Sequence, residues 1–207
     1  MIQNPFDICT EEYEKWFDEN RITFESELLA IRQLLPQGRK GIEIGIGTGI
    51  FAAELGIKYG IDPSENMLKL ARERHLNVTR GFAENLPYPA ESFYFAAFIT
   101  SLCFIDDPGR AMEEAHRILK DEGEIIIAFI DRDSQLGQTL LRLKEENKFY
   151  RIARFYSVPE VIDIIEKHGF IVSGIVQTLT GPEAAVPEQP SEGYGKGGFV
   201  VIKARKK

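Results

Sequence analysis

The sequence predicts an α/β fold with a doubly wound, mostly parallel sheet of about seven strands and an antiparallel pair at its C-terminal edge. Three observations predict it. Between Gly41 and Ile130, short apolar runs alternate with amphipathic helical segments, as expected of a sheet covered on both faces. The segment "GIEIGIGTG" places four glycines in nine residues, where a first strand would turn into a helix. Two late apolar runs, "IVSGIVQTL" and "GFVVIKA", follow each other with no helical segment between them, which marks an antiparallel pair.

Each element has its own signal. From Thr10 to Leu35, the apolar residues Tyr13, Trp16, Phe17, Leu28, Ile31 and Leu34 recur at helical spacing, and Pro36 and Gly38 close the segment. "GIEIGI" reads as the first strand, "TGIFAAEL" as an unusually short helix, and "GIKYGID" as the second strand. Ser64 opens the helix "SENMLKLARERH", "LNVTRG" is the third strand, and the strongly apolar "SFYFAAFIT" is the fourth. In "DPGRAMEEAHRILK", Asp107 stands at a helix cap and Pro108 in the first turn, where a missing N–H costs nothing. Gly123 is expected to break the chain before the fifth strand, "EIIIAFI". Residues 134–157 look helical and then irregular, and "PEVIDIIEKHGF" is a helix ending at Gly169. The spacer "TGPEAAVPEQPSEGYGKG" is rich in Pro, Gly and Glu and reads as an exposed loop.

The length of 207 residues fits one domain. Its expected parts are an N-terminal helical lid (1–38), a ligand-binding core (39–135), and substrate-side helices with edge strands (136–207). The net charge of -7 argues against an extended nucleic-acid footprint, which needs a basic face. Cys9 and Cys103 stand in no metal-binding or redox spacing, and no metal is expected. No signal peptide and no membrane-length apolar run is visible, so a cytoplasmic protein with no membrane partner is expected. The oligomeric state cannot be read from the sequence.

In an open parallel sheet, ligands bind beyond the carboxyl ends of the strands, where the strand order reverses. A glycine-rich turn there admits a close backbone approach and leaves helix N–H groups free. A dinucleotide fingerprint wants G-x-G-x-x-G; here Gly45, Gly47 and Gly49 are evenly spaced, so the third glycine comes one position early. Glu43, two residues before the first glycine, is awkward beside a pyrophosphate and comfortable beside a cation.

These residues carry a resemblance. "IEIGIGTG" resembles the first motif of the class I S-adenosylmethionine-dependent methyltransferases, whose sheet is Rossmann-like. "GIDPSENMLKLARER", "GFAENLPYPAESF" and "FIDDPGRAMEEAHRILKDEGEIII" resemble its later segments in order, over nearly the whole chain. The resemblance implies methyl transfer from S-adenosyl-L-methionine. It implies that Gly45, Ile46, Gly47 and Gly49 wrap the methionine part, with Glu43 near its ammonium. Asp62, followed by Pro63, would take the ribose diol. Met67 would pack on the adenine, and Ala83 would offer its N–H to the ring. Thr100 and Ser101 would sit near the reaction centre.

Phe82 replaces the acid that usually faces the adenine amino group, leaving Glu84 or Asn85 as substitutes. Tyr94 and "KDEG" also depart from the family pattern. The expected acceptor pocket draws on Tyr13, Trp16, Phe17, Phe104, Tyr150 and Arg154, although the N-terminal aromatics suit a core equally well. A small-molecule acceptor is expected, and the acidic balance tolerates an amine. No histidine volunteers as a base, Asp106 is a weak candidate, and no catalytic residue is assigned. A non-catalytic cofactor-binding protein and, less favoured, a nicotinamide-dependent oxidoreductase remain as alternatives.

Overall fold

A computed structural model describes residues 5–181 and 185–207. The first four residues of the expected lid and residues 182–184 of the spacer lie outside the described residues. The strands are β1 (Gly41–Ile44), β2 (Tyr59–Asp62), β3 (Asn77–Arg80), β4 (Phe93–Ile99), β5 (Leu119–Ile130), β6 (Phe170–Thr178), β7 (Ser191–Glu192) and β8 (Phe199–Lys206). They form one eight-stranded sheet in the order β3-β2-β1-β4-β5-β8-β6-β7. The first five are parallel to their neighbours, whereas β8 is antiparallel to both β5 and β6. The eighth strand is the two-residue β7, which pairs with β6 inside the spacer expected to be a loop.

Strand β1 lies centrally, with Glu43 opposite Gly60 of β2 and Ala97 of β4. From β1 the chain winds outward to β3, then returns to the other side of β1 as β4. A crevice therefore opens at the carboxyl ends of β1 and β4.

The sheet is buried on both faces, as its apolar runs require. Along β4, Ala96 and Phe98 face one cluster while Phe95, Ala97 and Ile99 face the other. Helices α6 (Pro108–Ile118) and α8 (Val158–Lys167) cover the first face through Met112, Ala115, Val161 and Ile165. Helices α3 (Arg21–Leu34), α4 (Ile50–Leu55) and α5 (Glu65–Glu73) cover the second through Phe24, Ile31, Phe51 and Leu68. Phe24 and Phe98 are wholly buried, each worth about 1.5–3 kcal/mol of apolar burial.

Several boundaries differ from expectation. The single helix expected over 10–35 is two, α2 (Thr10–Glu19) and α3, and a short α1 (Pro5–Ile8) precedes them. The break is at Asn20, whose backbone leaves the helical region and whose side-chain amide donates to the Trp16 carbonyl at 2.8 Å. Asparagine competes with the helix in this way. Strand β5 begins at Leu119 rather than after Gly123. Its pairing with β4 jumps from Leu119 to Glu124, so residues 120–123 form an irregularity within the strand, and Glu122 takes φ 56°. Gly56, at φ 73°, ends α4 after six residues. Helix α7 (Gln135–Arg142) and two 3-10 turns occupy the segment expected to become irregular.

Candidate active site

The glycine turn between β1 and α4 is held against β2. The N–H groups of Gly45 and Ile46 both donate to the Ile61 carbonyl, at 2.8 and 3.0 Å. Gly45, Gly47 and Gly49 all take positive φ, but for different ends. A Cβ at Gly45 would lie 2.4 Å from the Ser101 Cβ, and one at Gly49 would lie 2.4 Å from a Leu76 methyl. At Gly47 the nearest atom would be the Tyr13 hydroxyl, 3.8 Å away. Gly45 and Gly47 line the cavity above the turn, whereas Gly49 and Ile46 do not. The ligand contact expected of Gly49 is replaced by packing: its absent side chain is where α5 and Leu76 approach. Ile46 instead turns its side chain onto Gly60 of β2.

Two acids sit beneath this turn. Asp62, at the end of β2, accepts from the Gly47 N–H and the Ser64 N–H, both at 2.9 Å. Burial raises its carboxyl above the ordinary carboxylate range while these two donors oppose the rise. Glu43 is 2% exposed, and its Oε2 has no hydrogen-bond partner. Burial and the neighbouring Asp62 push its carboxyl well up. A buried carboxyl oxygen without a donor is costly, so this end of the cleft suits a positively charged group.

Pro63, Met67, Ala83 and Glu84 line the same end. Glu84, one of the two substitutes expected for the missing acid at Phe82, already carries a structural duty. Its Oε1 accepts from the N–H groups of Asp106 and Asp107, at 3.1 and 3.3 Å, ahead of α6. The loop before β4 is clasped from α6: Glu114 accepts from the Leu86 N–H, while Arg117 donates to the carbonyls of Leu86 and Tyr88. Asp107 accepts from the Arg110 N–H and is the cap expected of it.

At the end of β4, Thr100 takes φ 50°, a strained region for a β-branched residue. The Ser101 hydroxyl donates to the Ile44 carbonyl at 2.6 Å. Both line a cavity of 1770 Å³, larger than the ~300–1,000 Å³ of a single-ligand pocket.

Helices α1 and α2 roof the cavity. Phe6 stacks edge-on against Phe104 at 4.8 Å and against Tyr13 at 6.0 Å, and Phe149 joins the group at 5.3 Å from Phe6. Of the expected acceptor residues, Tyr13, Trp16, Phe17, Phe104 and Tyr150 line the cavity. Phe17 is also core, packed on Phe24 and Phe51. Arg154 lies outside the lining: it is exposed, with its guanidinium over the Tyr156 ring. None of the three histidines lines the cavity.

The same arrangement recurs among known proteins. A methyltransferase-domain sequence profile matches residues 42–127. An uncharacterized protein of Methanocaldococcus jannaschii is 45% identical over 98% of this chain and 99% of its own. A Thermotoga maritima crystal structure, described as an S-adenosylmethionine-dependent methyltransferase and possible histamine N-methyltransferase, superposes with a TM-score of 0.95. It is 48% identical, over 98% of each chain. The chain belongs to the class I S-adenosylmethionine-dependent methyltransferases. A demethylmenaquinone methyltransferase of Chlorobaculum parvum is 34% identical over 57% of this chain and 52% of its own.

The cofactor of this methyltransferase is S-adenosylmethionine, and two observations of the site fit it. The unpartnered Glu43 oxygen lies beneath the turn, where a cationic group would compensate it. Gly47 leaves open space that a side chain would fill.

The methyltransferase also holds a residue that motif reading missed. Glu27 of α3 lines the cavity yet is 5% exposed, and no hydrogen bond or ion pair holds it among the described residues. Burial alone pushes its carboxyl up to about 8. A signal was present: Glu27 falls three residues after Phe24 and four before Ile31, inside an apolar helical stripe. Phe6 was missed because a four-residue helix carries no periodicity. No helix among the described residues is long and apolar enough to cross a membrane.

Proposed function

We propose that this methyltransferase transfers the methyl group to a small amine held under the α1–α2 roof. The observation that carries the reading is the aromatic lining of the cavity beside the glycine turn, with Phe6, Tyr13, Trp16, Phe104 and Tyr150 in its wall. The amine is supported by Glu27, a buried carboxyl lining the cavity with no cationic partner among the described residues. It is supported too by the possible histamine N-methyltransferase that shares 48% identity.

In this reading residues 1–38 act as the lid, 39–135 hold the cofactor, and 136–207 complete the acceptor side. Asp62 takes the ribose diol with the lone pairs left over from its two backbone donors. Gly45 and Gly47 cradle the methionine part, and Glu43 answers its ammonium. Pro63, Met67 and Ala83 border the adenine, and Thr100 and Ser101 border the methyl. Bound S-adenosylmethionine supplies a methyl already activated on a sulfonium. The chain's task is then to hold the acceptor atom in line and keep water out. Positioning of this kind supplies roughly 7–11 kcal/mol of a barrier. Tyr13, Trp16, Phe104 and Tyr150 form the walls, and no side chain is assigned as a base.

A mass-spectrometric methyl-transfer screen tests the reading, using a panel of small amines that includes histamine, with phenols, carboxylic acids, thiols, RNA and protein as comparison acceptors. Methylated amine is the expected product. Transfer confined to the macromolecules or to the non-amine small molecules would overturn the proposal.

A further inference from the structure

The cleft has two ends, set by the strand order. Asp62 and the glycine turn lie where β2, β1 and β4 finish, and Met67 and Ala83 are on that side too. At the other end, the cavity wall is made by Ile130 at the end of β5, Leu179 after β6, and Glu188. Helix α3 packs across β5, β8 and β6 at that end, and Glu27 projects from it into the cavity lining.

The groups between the two ends fix the sequence of neighbours. Tyr13 feels the charges of Glu43, Asp62 and Tyr150, and burial together with those charges raises its hydroxyl far above the ordinary range. Tyr150 in turn feels Glu27 and Cys103. Glu27 thus lies near Tyr150, whereas Glu43 and Asp62 lie near Tyr13, and neither acid contributes to the shift of Glu27. Its neighbour Ser26 is already committed, donating to the Ile22 carbonyl and accepting from the Glu188 N–H. Nothing comparable is committed to Glu27.

We infer that Glu27 is the specificity-determining residue for the acceptor: its carboxylate pairs with an ammonium of the acceptor at the end of the cavity away from Asp62, leaving a second, unprotonated nitrogen of the same molecule to take the methyl. The inference rests on the amine reading above and adds the residue that enforces it. An uncharged acceptor gains no ion pair from this carboxyl, so the residue favours a cationic acceptor over its neutral counterpart. The weakened acidity of the buried Glu27 carboxyl agrees with this, because burial favours its neutral form unless a cation pairs with it.

The test is Glu27→Gln, with histamine as the cationic probe and 4-(2-hydroxyethyl)imidazole, its hydroxyl counterpart, as the neutral one. Each is titrated calorimetrically into full-length protein saturated with S-adenosylhomocysteine. Losing a hydrogen-bonded charge pair weakens binding by about 10- to 150-fold. That loss is expected for histamine, as a rise in its Kd. The neutral probe and S-adenosylhomocysteine should bind variant and wild type alike. Equal histamine binding by the two proteins would overturn the role of Glu27 and leave the amine reading standing. Failure of wild type to bind any amine of the panel would overturn both. A variant that loses S-adenosylhomocysteine and the neutral probe as well would show a structural role and reject the inference.

Discussion

Asp62→Ala separates a ligand contact from a scaffold contact in one experiment. The structure assigns this carboxylate a scaffold duty, holding the N–H groups of Gly47 and Ser64 at 2.9 Å each. Removing it leaves two buried donors unpaired, at about 1–3 kcal/mol apiece. The loss is partly offset, because a carboxyl that burial had made uncomfortable is gone. A net cost of about 2 kcal/mol lowers the melting midpoint by about 4–8 °C for a chain of this size. The freed turn weakens every cofactor analogue to the same degree. On top of that comes the ribose diol, whose bonds to a charged acceptor are worth about 1.5–3 kcal/mol, or about 10- to 150-fold. Titrating S-adenosylhomocysteine and its 2′,3′-dideoxy analogue into both proteins closes a double-mutant cycle in which the scaffold loss cancels. Coupling of about 10-fold or more is expected. Equal losses for the two ligands would refute the ribose contact and leave Asp62 a turn anchor alone.

Gly47→Val should abolish detectable S-adenosylhomocysteine binding, because its methyls enter the open space below Tyr13. The strained φ of 55° costs only about 1–2 kcal/mol, so circular dichroism should report a folded protein, and retained affinity would contradict the cradle. Stability should also depend on pH through Glu27. Its folded carboxyl titrates at about 8, above the ordinary 4.5, so the native state binds the extra proton between those values. Wild type therefore loses stability as pH rises from about 4.5 to about 8, while Glu27→Gln lacks this dependence. Denaturant melts of the two proteins across that range should diverge, and parallel curves would show that the carboxyl is solvated.

The central part of the fold was legible because two-sided burial writes itself into the chain. The runs that became β1, β4 and β5 are apolar at nearly every position, and Asp107 and Ser64 cap the helices expected of them. The site was legible where backbone geometry demands a residue type, as at Gly45 and Gly47. Composition could not separate the glycines that line the cavity from the one that faces Leu76, since all take positive φ. Glu84 shows a similar limit: its place in the loop could not reveal that one of its oxygens accepts from the N–H groups of Asp106 and Asp107. Arg154 turned outward because alternate residues around it, Ala153 and Phe155, fill the interior. The break at Asn20 and the pairing of β7 depend on contacts between distant segments, which local patterning does not encode.

The roof has a kinetic consequence. Its ties reach both ends of the cleft: the carbonyls of Phe6 and Asp7 accept from Ser64 and Asn66 on the cofactor side. Glu14 pairs with Arg74, and Glu12 with Lys148 on the acceptor side. On the lid reading proposed above, one flap covers two compartments, and spent cofactor and methylated product leave past the same cover. The Glu12–Lys148 pair is exposed and the Glu14–Arg74 pair partly buried; an exposed pair is worth only about 0–1 kcal/mol and weakens with salt. Higher ionic strength should then shorten the dwell of the closed flap, read as faster product release in turnover measured against salt.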